Sequence, residues 1–255
     1  MVDVGLGCFR DVESSFREVI SMKVTVVFVR VVTKEQYNHG AQRWLDSYLN
    51  FAPNYLHEVI VIHRYADSPD AMFDAVATRY LRYDGGGWDC GAWQFAGRNI
   101  QTDLLVCFNS STYVTGDGWL KRFVMAVQEH GDGLYGPLAS YEIQPHIRTP
   151  CMIFQPKIIN DYPYEVNSRE DTYRFEVFGF PPENTNFTQW VRDKGGKTML
   201  VTWDGVFDLP YWRSPRNIFR RGDQSNLVVR DRHVEAYEVS DADGKSRLEA
   251  LADGR

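Results

Sequence analysis

The sequence predicts an α/β protein with a mostly parallel central sheet flanked by helices, folded as a single compact domain. Apolar runs alternate with segments of helical apolar spacing over the first half of the chain, and this alternation indicates right-handed βαβ units. The run at residues 24–32 (VTVVFVRVV) is β-branched at all positions except Phe28 and Arg30, which is typical of a strand covered on both faces. At 255 residues the chain can enclose one core of ordinary size.

The first half of the chain predicts four strands and the helices between them. The predicted strands are residues 24–32, 58–63, 78–83 and 104–108. Helical spacing of apolar side chains, or a glycine that opens the segment, predicts helices around residues 41–49, at 70–77, after the glycine-rich loop at 85–91, and from 117 or 118 to 127. Together these elements predict a mostly parallel sheet built from βαβ units.

The second half is less regular. We expect strands at residues 133–137, 151–154 and 197–203, a helix at 187–194, and an ordered loop at 140–150. From residue 204 onward the composition is rich in Pro, Arg and aromatic residues, and such long irregular segments often form the wall of a site. We interpret residues 1–22 as an N-terminal extension, 23–240 as the domain and 241–255 as a flexible tail.

Composition excludes several classes of function. The net charge of −6 argues against broad binding to nucleic acid or anionic membranes. No apolar run approaches the roughly 20 residues of a membrane span, and residues 1–22 carry acidic side chains where a signal peptide would be apolar. The four cysteines form no Cys-x-x-Cys pair, so we expect buried free thiols and a cytoplasmic location.

The stretch from Tyr83 to Leu120 predicts a ligand site. It contains a glycine-rich loop, a short helix, a buried strand and then the polar residues Asn109, Ser110 and Ser111. In an open α/β sheet, small molecules bind beyond the carboxyl ends of the strands, where helix N-termini and loop backbone converge. Glycines there allow the backbone to approach a ligand closely.

In order and spacing, this stretch resembles the donor-binding half of GT-A-fold glycosyltransferases of the family-2 type. In that family Asn-x-Gly opens a helix and a hydrophobic strand then leads into an Asp-x-Asp loop. The counterparts here are Asp89 with Gly91, and Asn109-Ser110-Ser111. The resemblance implies that these residues bind a nucleotide-sugar donor, with residues 23–137 as the donor half and 138–240 as the acceptor side.

The resemblance also implies Mn²⁺ or Mg²⁺ at the Asp-x-Asp position. Amide and hydroxyl groups are poor substitutes for carboxylate ligands, so metal dependence stays open; the candidate metal ligands are Asn109, Ser111 and His233. An ordinary turn at the strand end is the alternative interpretation of Asn109 to Ser111. Asp89 is equally well interpreted as a helix N-cap.

A second match concerns the catalytic base of inverting members. Their Glu-Asp pair precedes a glycine by about twelve positions, and Glu183 stands at that distance from Gly195, with Asn184 where the base Asp would be. An amide cannot accept the proton, so the base candidates are Glu183, Glu176 and Asp171. A solvated carboxylate at a helix start is the alternative for Glu183.

Two loops are candidates for acceptor or phosphate contacts. One contains His146 and Arg148, because an Arg fork can bind phosphate oxygens. The other is an arginine-rich stretch, and within it Arg221, Asp223 and Gln224 resemble the Asp-Gln loop that contacts the acceptor in some GT-A enzymes. Surface ion pairs are the alternative for both loops.

These features predict an enzyme that transfers a sugar from a nucleotide-diphosphate sugar to a hydroxyl group of a glycan, a lipid-linked acceptor or a modified nucleic-acid base. Two alternatives stay open. A nucleotidyltransferase shares the sheet type, although only Lys34 and Gly40 suggest its phosphate loop after the first strand. A non-catalytic nucleotide-sugar or carbohydrate binder would explain the missing Asp-x-Asp.

Overall fold

The computed structural model describes residues 22–32, 35–213 and 217–255, with the side chains of 35–37 left out. The predicted extension up to residue 21, with Cys8, and the arginine at 216 lie outside the described residues. The strands are β1 Val24–Val31, β2 Glu58–Arg64, β3 Arg79–Arg82, β4 Leu104–Phe108, β5 Tyr113–Val114, β6 Gly133–Gly136, β7 Ala139–Ser140, β8 His146–Ile147, β9 Cys151–Phe154, β10 Lys197–Val201, β11 Val206–Asp208 and β12 Val229–Arg230. The helices are α1 Glu35–Asn50, α2 Trp88–Asn99, α3 Trp119–His130, α4 Pro156–Asn160, α5 Arg169–Tyr173, α6 Phe187–Asp193, α7 Arg232–Val239 and α8 Ala242–Ala252.

Eight strands form the central sheet in the order β11-β10-β6-β9-β4-β1-β2-β3. Parallel pairs join β3 to β2, β2 to β1, β1 to β4 and β6 to β10. β9 runs antiparallel between β4 and β6, and β11 pairs antiparallel with β10 at one edge. The predicted α/β class with a mostly parallel sheet flanked by helices is confirmed, and both halves of the chain contribute strands to this one sheet.

The sheet is covered on both faces, as the apolar first strand predicts. β1 is buried at all eight positions. One core contains Trp93 of α2 and Phe187 of α6, and the other contains Trp44 of α1 and Trp119 of α3. Among the described cysteines, Cys90, Cys107 and Cys151 are free and buried, as expected. Within the described residues no helix is long and apolar enough to cross a bilayer.

Two expected elements differ from the structure. Residues 70–77 form a single 3₁₀ turn at Ala71–Phe73 rather than a helix. Asp70 accounts for this, because its carboxylate accepts the Met72 backbone N–H and pairs with Arg30 Nε at 2.8 Å. The expected loop at 140–150 contains part of a small antiparallel hairpin of β7 and β8.

The segment expected to be a flexible tail forms helix α8. Asp241 caps it by accepting the Gly244 N–H at 2.8 Å. Its far end is anchored by a hydrogen bond from Tyr141 N to the Ala252 carbonyl at 2.8 Å, and by ion pairing of Asp253 with Arg221. Polar helices with such tertiary anchors are hard to recognise from composition, because packing rather than periodicity holds them.

Candidate functional site

The order of the strands reverses next to β1. From β1 the chain moves outward to β2 and β3 on one side and then returns to place β4 on the other side. A crevice forms at the carboxyl ends of the strands at such a switch point, and ligands of open α/β sheets bind there. β2 ends here at Arg64, and Asn109 follows β4. Residues 33 and 34, directly after β1, lie outside the described part of the chain.

Asp89 and Arg64 form a charged pair at this edge. Burial raises the pKa of Asp89 to about 7, although the Arg64 charge and a hydrogen bond from the Ser110 backbone N–H both act to lower it. Its Oδ1 is buried without a hydrogen-bond partner. Arg64 is 1% exposed, and its Nη2 donates to the hydroxyl of Tyr65 at 2.6 Å and to the carbonyl of Gly85 at 2.8 Å. Sequence reasoning missed Arg64, since an arginine at a strand end usually lies at the surface.

Asp89 is not the N-cap of α2. Gly87 occupies that position in the left-handed conformation, with φ 72° and no side-chain cap. Asp89 lies in the first turn, where a carboxylate interacts favourably with the helix dipole. Through Ser110 it connects α2 to the loop after β4, so the predicted donor residues Asp89 and Ser110 do lie together.

The glycines at the start of α2 accommodate another part of the chain. A Cβ on Gly86 would lie 1.7 Å from the Asn167 carbonyl oxygen, and one on Gly87 would lie 1.9 Å from that of Val166. A Cβ on Gly91 would lie 2.2 Å from the Gly86 carbonyl oxygen. The atoms that approach these glycines closely are therefore backbone atoms of the protein itself. This corrects the expectation that a ligand makes this contact.

The Asn109 to Ser111 turn uses its oxygen atoms internally. Asn109 Oδ1 accepts from Ser111 N at 2.9 Å, from Ser111 Oγ at 3.1 Å and from the Thr112 hydroxyl. The described residues contain no group of three or more His, Cys, Asp or Glu side chains that could hold a metal ion. This donor set does not fit a divalent cation held by carboxylates, so the metal role expected for Asn109 and Ser111 has no support in the geometry.

Arg148 and Glu176 are brought together at the same edge. Glu176 lies in a π-helical turn, Arg174–Phe178, that continues α5. Its Oε1 accepts the Thr149 backbone N–H at 3.0 Å and lies 3.7 Å from Arg148 Nε, and both side chains are 12% exposed. The Pro150 carbonyl accepts the Asn109 N–H at 3.1 Å. The candidate base Glu176 and the candidate phosphate ligand Arg148 thus lie next to the loop after β4.

His233 and Asp231 adjoin Arg148. Arg148 Nη2 lies 3.5 Å from His233 Nδ1, which is 2.9 Å from Asp231 Oδ2. Asp231 also caps α7 by accepting the backbone N–H groups of His233 and Val234. Burial would raise the pKa of Asp231, but the His233 hydrogen bond and the Arg148 charge outweigh it and leave the pKa below its usual value. A guanidinium this close disfavours a cation, so His233 does not fit a metal site either.

A second buried arginine completes this cluster. Arg220 is 7% exposed, and the guanidinium carbons of Arg148 and Arg220 lie 4.3 and 4.9 Å from the centre of the Phe219 ring. Burial lowers the pKa of Arg220, and the like charge of Arg148 lowers it further. Arg148 Nη1 and Arg220 Nε and Nη1 are buried without hydrogen-bond partners, and Arg220 Nη1 lies 3.6 Å from Glu142 Oε2 in an ion pair. Unpartnered buried N–H groups are rare and call for an explanation, such as an anion or water that accepts from them.

Two of the predicted catalytic carboxylates lie elsewhere. Glu183 is exposed, and its closest polar contact is the Tyr164 hydroxyl at 3.3 Å. Asp171 accepts the Asn167 N–H at 3.2 Å and pairs with Arg174 at 3.7 Å. Their contacts stabilise local structure, and neither contact includes Arg148.

The remaining predicted acceptor residues also make structural contacts. Arg221 pairs with Asp253 of the C-terminal segment, and Asp223 is an exposed turn residue that accepts the Ser225 N–H. Gln224 is 1% exposed and donates to the Val234 carbonyl at 3.0 Å. His146 is buried with Nδ1 2.8 Å from the Gln144 carbonyl oxygen, and burial lowers its pKa. Gln224 is thus packed inside the fold, whereas Asp223 is exposed at the surface.

Comparison with known proteins gives matches among solved structures only, since no family model and no curated protein matches the chain. HddC from Yersinia pseudotuberculosis is 14% identical over 56% of this chain and 82% of that one, with a TM-score of 0.38. GalNAc-T7 with UDP, GalNAc and Mn²⁺ is 10% identical over 71% and 42%, with a TM-score of 0.47. The mannosyltransferase PcManGT from Pyrobaculum calidifontis, with GDP-Man and Mn²⁺, is 15% identical over 57% and 48%, with a TM-score of 0.40.

The chain spans less than half the length of the last two proteins. Glycosyltransferases are among the structures that resemble it. At this level of identity the likeness concerns the fold alone, so activity has to be argued from the side chains at the carboxyl edge of the sheet.

Proposed function

We propose that this protein transfers a sugar from a nucleotide-diphosphate sugar to a hydroxyl group of an acceptor. The observation that carries the proposal is the pairing of Glu176 with Arg148 at the carboxyl edge, beside buried guanidinium N–H groups that make no hydrogen bond. Sugar transfer needs a base for the acceptor hydroxyl and positive charge for the departing diphosphate.

In the proposed reaction the acceptor oxygen forms a bond to the anomeric carbon while the bond from that carbon to the diphosphate oxygen breaks. The proton of the acceptor hydroxyl passes to Glu176. The diphosphate leaves as an anion, and Arg148 and Arg220 stabilise its charge with donors that are already in place. The described residues offer no carboxylate set for a metal, so we assign this stabilisation to the two arginines.

The first experiment is a thermal-shift screen with UDP-, GDP-, CMP- and dTDP-sugars, each with and without Mn²⁺. A ligand that binds only the native state stabilises it by about 2.7 kcal/mol at about 100 times its Kd. We expect one nucleotide to raise the melting temperature equally with and without Mn²⁺. No shift with any donor would remove the basis of the proposal, and a shift that requires Mn²⁺ would contradict the role given to the arginines.

The second experiment separates the carboxylates. We expect Glu176→Gln to keep donor binding and to lower transfer to acceptor about 10²- to 10⁴-fold, the range for loss of a general base. Glu183→Gln is the matched control, because Glu183 is exposed and away from Arg148, and it should keep wild-type turnover. Loss of turnover in Glu183→Gln alone would reassign the base.

A non-catalytic nucleotide-sugar binder is the second candidate. The internal use of the Asn109 side-chain oxygen favours it, because no metal-binding loop remains at the usual position. In that case wild type and Glu176→Gln would bind the donor equally, and neither would release the nucleoside diphosphate or transfer the sugar.

A further inference from the structure

An exposed tryptophan stands at the rim of the candidate site. Trp88 is the first residue of α2, is 43% exposed, and has a φ of 47°. The left-handed conformation is unfavourable for a bulky side chain, and such strain is concentrated at functional sites. The next residue in the chain, Asp89, adjoins Ser110 of the loop that follows β4.

Two more side chains extend this surface. Tyr173 is 40% exposed, and its ring centre lies 6.2 Å from that of Trp88 at an interplanar angle of 65°. The guanidinium carbon of Arg169 lies 5.3 Å from the Trp88 ring centre and 5.6 Å from that of Tyr173. We call these three residues the Trp88 platform. Large exposed aromatic side chains that cluster in this way mark binding surfaces.

The charge of Arg169 is available to a ligand. Its contact with another polar side chain is a hydrogen bond to the Tyr173 hydroxyl at 3.3 Å. The neighbouring carboxylates pair with Arg174 instead, Glu170 at 2.6 Å and Asp171 at 3.7 Å. Within the described residues no carboxylate lies within ion-pair distance of Arg169. An anionic group bound on the platform could therefore pair with the exposed Arg169 guanidinium, and no existing ion pair would have to break.

The platform adjoins the candidate base. Tyr173 ends α5, and the π-helical turn that contains Glu176 follows without a break. Tyr173 contacts Trp88, while Glu176, three positions later in the chain, contacts Arg148 and Thr149. The same short helical segment therefore carries a residue of the platform and the candidate base.

We propose that the Trp88 platform binds a sugar ring that carries a carboxylate or phosphate group, as the acceptor subsite. The apolar C–H face of a pyranose packs on an aromatic ring while its hydroxyl groups stay solvated, and the anionic group pairs with Arg169. This inference rests on the proposed function for its acceptor role. The binding of the sugar itself does not depend on turnover.

Titration calorimetry with three probes tests the proposal. Trigalacturonic acid supplies a carboxylate, glucose 6-phosphate a phosphate and maltotriose neither. We expect at least one of the anionic probes to bind about tenfold or more tightly than maltotriose, a difference that Arg169→Gln should abolish. Equal affinity for maltotriose, or an unchanged preference in Arg169→Gln, overturns the role of the charge. Absence of binding by all three probes overturns the proposal.

The aromatic part is tested by Trp88→Gly, because glycine suits the left-handed backbone and the fold should be kept. We expect it to weaken binding about tenfold or more, with Trp88→Phe close to wild type. Tyr211→Ala is the control, since Tyr211 is an exposed aromatic residue at 60% exposure on a distant 3₁₀ turn. Unchanged binding in Trp88→Gly, or an equal loss in Tyr211→Ala, overturns the platform.

Failure of the two proposals is distinguishable through donor hydrolysis, the transfer of the sugar to water, which needs no acceptor subsite. Both proposals are supported if two results are obtained together. Wild type and Trp88→Gly should hydrolyse the donor equally, and in the transfer reaction the variant should have a higher KM for the anionic sugar that binds. Sugar binding without any hydrolysis or transfer contradicts the proposed function and leaves the platform in place. Turnover with an unchanged acceptor KM in Trp88→Gly contradicts the platform alone.

Discussion

Replacing Asp89 by asparagine tests whether burial raises the pKa of this carboxyl group. Burial raises its pKa to about 7 from the ordinary value of 3.8. A carboxyl whose folded-state pKa is raised binds its proton more tightly in the native state than in the unfolded chain. Its contribution to stability is therefore fully present below pH 3.8 and is lost as pH rises through the interval up to about 7.

Each pKa unit corresponds to about 1.4 kcal/mol. The free energy of unfolding of wild type should thus fall relative to that of Asp89→Asn by about 2–3 kcal/mol between about pH 5 and pH 8. Asparagine keeps an acceptor for the Ser110 N–H but does not ionise. Urea denaturation of both proteins at steps across this range measures the difference.

Asp84→Asn is the control for loss of one carboxylate, because Asp84 lies in the loop before α2 and is exposed and paired with Arg82. The change that Asp84→Asn causes in the pH dependence of the free energy of unfolding is subtracted from the change that Asp89→Asn causes. The remainder belongs to Asp89. A difference between Asp89→Asn and wild type that stays constant within about 0.5 kcal/mol from pH 5 to pH 8 would refute the reasoning. It would mean that Arg64 keeps Asp89 ionised in the native protein over the whole range.

Two further predictions concern chain packing. Gly86→Ala places a Cβ 1.7 Å from the Asn167 carbonyl oxygen, so urea denaturation should show that the free energy of unfolding falls by about 1–3 kcal/mol or more, as for overpacked sites. In the control Gly244→Ala the nearest atoms belong to side chains and lie at 3.0 Å or more, so the free energy of unfolding should fall less. Equal decreases in the two variants would contradict the packing account. Removal of residues 241–255 takes away α8 and the partners of Arg221. It should lower the melting temperature by several degrees at about 2–4 °C per kcal/mol, whereas an unchanged melting temperature would restore the interpretation of this segment as a flexible tail.

The parallel strands could be predicted because burial on both faces leaves a direct trace in the sequence. β1 and β2 read as mostly apolar runs and β4 as an unbroken one, and their order along the chain already places Asn109 at the carboxyl edge. Arg148 and Glu176 were separate candidates in the sequence, and their pairing was not predicted. The two residues are far apart in sequence, and the turn that joins them in space is π-helical, a form that residue pattern does not indicate.

The glycine-rich loop shows why other parts could not be predicted. A glycine in the sequence indicates that another group approaches the backbone closely, but it does not identify that group. At Gly86 and Gly87 the neighbour is the backbone of residues 166 and 167, which lie about 80 positions later. Similarly, the spacing of Glu183 from Gly195 fits a family motif, yet only the tertiary structure reveals that Glu183 is exposed. In both cases the environment of the residue depends on a distant segment that the local pattern does not show.

The charged groups with buried, unpartnered atoms give an independent reason to place function at this edge. They include Arg64, Asp89, Arg148 and Arg220. A buried charge without full compensation destabilises the fold, and sequences depart from good packing in this way mainly at functional sites. Arg64 and Asp89 lie at the switch point, while Arg148 and Arg220 flank Phe219 beside it. A bound anion would satisfy the arginines and add negative charge near Asp89, which would raise the pKa of Asp89 further. Donor binding should therefore be accompanied by proton uptake near neutral pH, which calorimetry in buffers of different ionisation enthalpy can measure.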